Sequence, residues 1–247
     1  ELTCLIINAI ILLYDYRSVL MKITEIDKNQ ALRYMGHKGE VPPVISEMVE
    51  KCEKLVLNEI RPLYVYRESP LEFMDKGVLL SDGNILLTGN DIKKHLEGCN
   101  KAIVFAATLS ASADLLIRHL ETSDMAEALA ADALCSAAIE QVCDKAEHEI
   151  FQVQKYEFRT WRFSAGYGDL PISLQKSLTE YLNAQRRIGL TVTDNFLMIP
   201  RKSVTAIIGV SDTPLKKHGT AGCSACNLRD RCNFADSGRC SNLRTLH

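Results

Sequence analysis

Two stretches of this 247-residue chain concentrate residues capable of chemistry. The first is Arg162-Phe-Ser-Ala-Gly-Tyr-Gly-Asp-Leu-Pro171. Arg162 offers a planar fork of donors suited to a carboxylate. Gly166 and Gly168 let the backbone approach a ligand closely, so the amides around Ala165 and Gly166 are candidate contacts. Tyr167 can stack on a ring or donate a hydrogen bond. An arginine beside exposed amides suits the carboxylate end of an amino-acid-like ligand. By itself the decapeptide also reads as an ordinary turn, with Arg162 pairing with a surface acid. The second stretch spaces Cys223, Cys226, Cys232 and Cys240 as C-x2-C-x5-C-x7-C. A C-x2-C step converges two thiolates on one metal, and a tetrathiolate set suits a structural zinc or an iron–sulfur cluster. A cluster would serve a redox role, whereas zinc would staple the segment. Free thiols or a disulfide pair are the third reading, and Cys223 and Cys226 are the first-ranked ligands.

Downstream of the arginine loop the chain reads Ile188-Gly-Leu-Thr-Val-Thr-Asp-Asn-Phe-Leu-Met-Ile-Pro-Arg-Lys-Ser-Val204. An Arg-x-x-x-Gly-Tyr loop followed, beyond a helix, by Gly-x-x-x-Thr and then Met-x-Pro-x-x-Ser-Val resembles the reactivation domain of cobalamin-dependent methionine synthase. Arg162, Gly166, Tyr167, Gly189, Thr193, Met198, Pro200, Ser203 and Val204 carry the resemblance, over residues 124–210 closely and 21–210 in outline.

The resemblance implies binding of S-adenosylmethionine in support of reductive remethylation of cob(II)alamin, with the methyl group from that ligand and one electron from a flavodoxin-like donor. Arg162 would then pair with the methionyl carboxylate, Ala165 and Gly166 would bring backbone to the ligand, and Tyr167 would shape its pocket. Asp132 and Glu140, two turns apart on an alanine-rich helix, are candidates to face the ammonium or sulfonium charge; a solvated helix face is the equal alternative. No Asp-x-His-x-x-Gly motif is present, so cobalamin is expected to be held by a partner. That partner would be a methionine synthase lacking its own activation domain, with this chain as a free-standing accessory subunit or domain. The cysteine-rich segment has no counterpart in the long synthases. The strand after Val204 lacks the aromatic residues and histidine found there, so ligand contacts from it are not expected.

Helices are expected where apolar residues recur at three- and four-residue steps: after an Asp27 cap, over Ile45–Ile60, from Ser110 to Leu120, from Asp124 to Ile150 and over Leu174–Leu182. A short helix capped by Asn90 or Asp91 should end at Gly98. Strands are expected at 61–67, 101–107, 159–163, 191–199 and 203–210, with a hairpin of 77–80 and 85–88 around Ser-Asp-Gly-Asn. The order does not alternate strictly, which predicts an α+β fold with a mixed or antiparallel sheet and flanking helices. We read residues 1–20 as an extension, 21–210 as one activation-like domain and 211–247 as a small cysteine-rich tail.

A net charge of −2 gives no basic field for nucleic acid. The apolar run from Cys4 to Tyr14 is too short to span a bilayer and lacks the features of a signal peptide. Nine cysteines, an odd number, point to a reducing, cytoplasmic setting. Cys4, Cys52, Cys99, Cys135 and Cys143 are expected to act as small hydrophobes. Three other functions compete: an iron–sulfur redox activator of another corrinoid protein that does not bind S-adenosylmethionine, a methyltransferase acting on a small molecule, and a structural partner that stabilises a short synthase without binding a ligand. The second lacks a Gly-x-Gly-x-x-Gly loop.

Overall fold

The computed structural model describes residues 19–37 and 39–215. Residues 1–18 and the cysteine motif from Cys223 to Cys240 lie outside the described residues. The strands are β1 (Val19–Leu20), β2 (Leu63–Met74), β3 (Gly77–Leu80), β4 (Ile85–Thr88), β5 (Lys101–Thr108), β6 (Phe158–Arg159), β7 (Thr191–Val192), β8 (Met198–Ile199) and β9 (Ser203–Ser211). The helices are α1 (Lys28–Tyr34), α2 (Pro43–Glu59), α3 (Asn90–His95), α4 (Ala111–Ser123), α5 (Met125–Gln154), α6 (Leu174–Tyr181) and α7 (Ala184–Ile188). The main sheet runs β4-β3-β2-β5-β9-β6, with β1 also paired to β2, while β7 and β8 form a separate hairpin. The pairs β1–β2, β2–β3, β3–β4, β6–β9 and β7–β8 are antiparallel. This is an α+β fold.

The described residues divide into two compact units: 19–67 with 105–155 and 179–205, and 68–104 with 156–178 and 206–215. Strands β2, β5 and β9 each contribute residues to both.

The first unit is built on α5. Asp124 opens this helix by accepting the Ala126 and Glu127 amides at 2.8 and 3.1 Å. Its 30 residues bury Ala128, Ala130, Ala131, Ala133, Ala137, Ala138 and Ala146, and small side chains let other helices come close. Helices α1, α2 and α4 pack on it, and Cys52, Cys135 and Cys143 are buried in this unit. Burial pushes Cys52 up to about 11 and Cys135 up to about 12. Both therefore stay protonated near neutrality, as packing residues rather than nucleophiles.

Sequence periodicity predicts one strand over 191–199, but the structure has a hairpin there. Thr193 turns the chain: its N–H donates to the Leu197 carbonyl at 2.9 Å and its Oγ1 accepts the Leu197 amide at 3.1 Å. Asp194 and Asn195 occupy this turn, a local side-chain-to-backbone pattern that hydrophobic alternation does not register. Strand β2 extends past the expected Arg67 to Met74, because its second half pairs with β3 and Leu71 N–H donates to the Asn100 carbonyl at 3.0 Å.

The second unit contains the β3–β4 hairpin and α3, which packs on both of its strands. Asn84 closes the hairpin in the left-handed conformation, φ 48°, in keeping with the turn residues expected there. Leu96, Cys99, Ile103 and Ile207 are among the residues that form its core.

Candidate functional site

The arginine loop grows out of the edge of β9. Thr160 N–H donates to the Gly209 carbonyl at 2.9 Å, and Gly209 N–H returns to Thr160 Oγ1 at 2.8 Å. Phe163 and Ile207 exchange both backbone hydrogen bonds, at 2.9 and 2.8 Å. Arg162 therefore lies in a segment fixed on either side and is half-buried. The chain then turns back on itself. Tyr167 N–H donates to Ser164 O at 3.0 Å, Gly166 N–H to Leu170 O at 2.9 Å and Leu170 N–H to Tyr167 O at 3.0 Å.

Gly166 sits at φ 89°, a conformation that strains a residue with a side chain. Ala165 is buried, whereas Gly166 and Tyr167 are exposed. The predicted loop residues Arg162, Ala165, Gly166 and Tyr167 thus fall together on one rigid turn. Tyr167 keeps 40% of its surface open while its ring leans on two others, 5.9 Å from Phe163 and 6.4 Å from Trp161 between centroids. His95 completes this aromatic group, 4.6 Å from Trp161 and 4.9 Å from Phe163. An open groove nearby, lined by Phe73, Asn90, Lys93, Lys94 and Glu97, includes none of the four loop residues.

Asp132 and Glu140 lie on α5 in the other unit. The Asp132 carboxylate is held by Lys202 at 2.9 Å, with Arg201 at 3.9 Å. Lys202 also donates to the Asp132 carbonyl and to Ser136 Oγ, at 3.1 and 2.8 Å. This arrangement ties the entry of β9 to the helix. Glu140 is half-buried.

The rest of the sequence signature builds structure. Gly189 ends α7 at φ 69°, Thr193 makes the hairpin turn, and buried Ser203 donates to Pro200 O at 2.7 Å while its Oγ also pairs with the Thr108 hydroxyl at 2.8 Å.

Asp169, a residue of the same loop, escapes sequence reasoning. Neither Asn90 nor Asp91 caps α3 with its own side chain. The cap comes from Asp169, whose Oδ2 accepts the Asn90 amide at 2.6 Å and whose Oδ1 accepts the Asp91 amide at 3.0 Å. Burial works to raise the pKa of Asp169, but these backbone donors and the charge of Lys94 outweigh it and hold the carboxyl below its usual range. The sequence signal is local, an aspartate after two glycines, but its partner lies 79 residues away. No periodicity connects the two.

Among the described residues no group of three or more His, Cys, Asp or Glu side chains is placed to hold a metal ion. The four tail cysteines expected as ligands lie outside that set.

Comparison with known proteins agrees with the resemblance carried by the sequence signature. Residues 97–217 match the model of the vitamin B12 dependent methionine synthase activation domain. The match covers just under half of the chain, and over it the chain is similar to that family. The matched segment contains the whole arginine loop, α5, the β7–β8 hairpin and β9. Among solved structures, the chain resembles one described as the MetH reactivation domain bound to AdoHcy, with a TM-score of 0.61 and 15% identity. The match covers 83% of this chain and 81% of that one, a likeness of fold. No curated protein matches the chain. Among the described residues, no helix is long and apolar enough to cross a membrane.

Proposed function

We propose that this chain binds S-adenosylmethionine and supports the reductive remethylation of cob(II)alamin on a cobalamin-dependent methionine synthase. The observation that carries the reading is the activation-domain match over residues 97–217, which includes the arginine loop in full. The similar reactivation domain is bound to AdoHcy, the demethylated form of the same ligand, and this supports the choice.

The loop's chemistry fits such a ligand. Arg162 issues from a segment pinned to β9, and its planar fork of donors suits a carboxylate. Gly166 presents exposed backbone without a side chain in the way, and Tyr167 offers an aromatic face braced by Phe163 and Trp161. S-adenosylmethionine supplies the methyl group when bound. The chain's own part is to bind and orient it, since positioning is what a protein adds to chemistry carried by cofactors. Asp132 is a weaker ligand candidate than the loop residues, because Lys202 already neutralises it. The partner would be a synthase without an activation domain of its own, receiving its electron from a flavodoxin-like donor in the cytoplasm.

The cysteine spacing adds a second component to the proposal: a bound zinc ion or iron–sulfur cluster held by Cys223, Cys226, Cys232 and Cys240. Metal analysis of the purified chain tests it. Zinc or iron present in the intact chain and absent after Cys226→Ser is expected, and a metal-free, folded protein would rule it out.

Reconstitution tests the main reading. A methionine synthase truncated before its activation domain, with its cobalamin oxidised to the cob(II) state, should regain turnover when this chain, S-adenosylmethionine and a reducing flavodoxin are all added. Recovery without S-adenosylmethionine would favour the redox-activator reading instead.

A further inference from the structure

Helix α3 grips the arginine loop at both ends. At the loop's exit, Asp169 accepts the Asn90 and Asp91 amides at 2.6 and 3.0 Å. The packing there is reciprocal. A Cβ on Gly89 would stand 2.4 Å from Asp169 Oδ1, and a Cβ on Gly168 would stand 2.3 Å from Asp91 Oδ2. Each segment therefore presents a glycine to the other's aspartate, and neither position admits a side chain without displacing a carboxylate. At the loop's entry, His95 on the last turn of α3 donates from Nε2 to the Trp161 carbonyl at 2.9 Å and packs its ring on Trp161 and Phe163. His95 is buried, at 7% exposure.

The residue after Asp169 completes the path to the ligand candidates, since the Leu170 carbonyl accepts the Gly166 amide at 2.9 Å. The clasp thus reaches Gly166 through one intervening backbone bond. We propose that Asp169 is a positioning residue of the ligand loop, acting through α3 to fix the turn that carries Arg162, Gly166 and Tyr167. This rests on the S-adenosylmethionine reading of the loop. Both Asp169 bonds are charge-assisted, the stronger class of hydrogen bond, and Lys94 is the nearby positive charge, with Asp91 the facing acid. The bound anion of this helix end is the protein's own carboxylate, so the clasp has no need of a ligand to form.

Two measurements on the full chain test the proposal: S-adenosylmethionine affinity by calorimetry, and ligand-free amide exchange. Asp169→Ala should weaken binding about tenfold or more and speed exchange in residues 164–170 while leaving α5 protected. Asp169→Asn keeps one acceptor and should fall between the two proteins on both measurements; it also serves if the alanine variant fails to fold. Wild-type affinity together with wild-type exchange in 164–170 would overturn the proposal. Faster exchange spread through α5 would also overturn it, because that marks a destabilised fold rather than a freed loop. If the unsubstituted chain binds no S-adenosylmethionine, the functional reading fails, and the exchange data still decide whether Asp169 holds the loop.

Discussion

Arg162 is delivered to the surface by a segment that cannot easily shift, because Thr160 and Phe163 on either side are bonded to Gly209 and Ile207 of β9. Its guanidinium offers a planar fork of donors that matches a carboxylate. Arg162→Ala should therefore cost S-adenosylmethionine binding about 1.5–3 kcal/mol, the range for a hydrogen bond to a charged group. Arg162→Lys should recover only part, since an ammonium lacks the two-pronged geometry. Calorimetric affinities of the two variants check this. The pH dependence of Asp169 runs in a definite direction. Its carboxyl titrates below the usual value of 3.8, so the contribution of the charged form is complete above that value and is lost as pH falls through the lowered one. Affinity should thus show no change from this group between about pH 7 and pH 5; a loss centred within that range would mean that Asp169 is not held as described. The loop itself was legible as a glycine turn after a strand, whereas its ligand candidates rest on the resemblance, because the same spacing also suits an ordinary turn. Asp169 was not legible, because its role depends on a partner helix that only folding brings near.

Among elements, α5 shows most clearly how composition becomes packing. Its buried alanines leave no room for larger side chains where α1, α2 and α4 cross it. Ala138 is fully buried, so Ala138→Leu should overpack the site and destabilise the protein by about 1–3 kcal/mol, read as a lower denaturant midpoint. Ser203 makes the corresponding polar contribution at the start of β9. Ser203→Ala removes its bonds to Pro200 and Thr108, both buried or partly so, and should cost about 1–3 kcal/mol by leaving acceptors unsatisfied. S-adenosylmethionine affinity, measured where this variant is fully folded, should be unchanged, since the side chain lies outside the loop. Alanine content and helical periodicity made α5 and α2 readable to within a few residues. The β7–β8 hairpin was read as one strand because the Thr193 turn works through a single hydroxyl and backbone amides, which leave no hydrophobic pattern. Helix α7 escaped for a similar reason: at five residues it is too short to establish a period.

For the molecule as a whole, the class of fold followed from the irregular order of helices and strands, and the resemblance to the activation domain rests on a signature in which several residues are structural. Gly189, Thr193 and Ser203 shape a cap, a turn and a strand entry, so this part of the signature marks a fold. The division into two units was not visible in the sequence, because β2, β5 and β9 each pass through both and leave no linker between them. The central claim is that this chain binds S-adenosylmethionine through the loop from Arg162 to Tyr167. Its most direct test is calorimetric titration of the purified chain with S-adenosylmethionine and with its demethylated product. The account predicts saturable binding of both at one site per chain. Folded protein that takes up neither would contradict it.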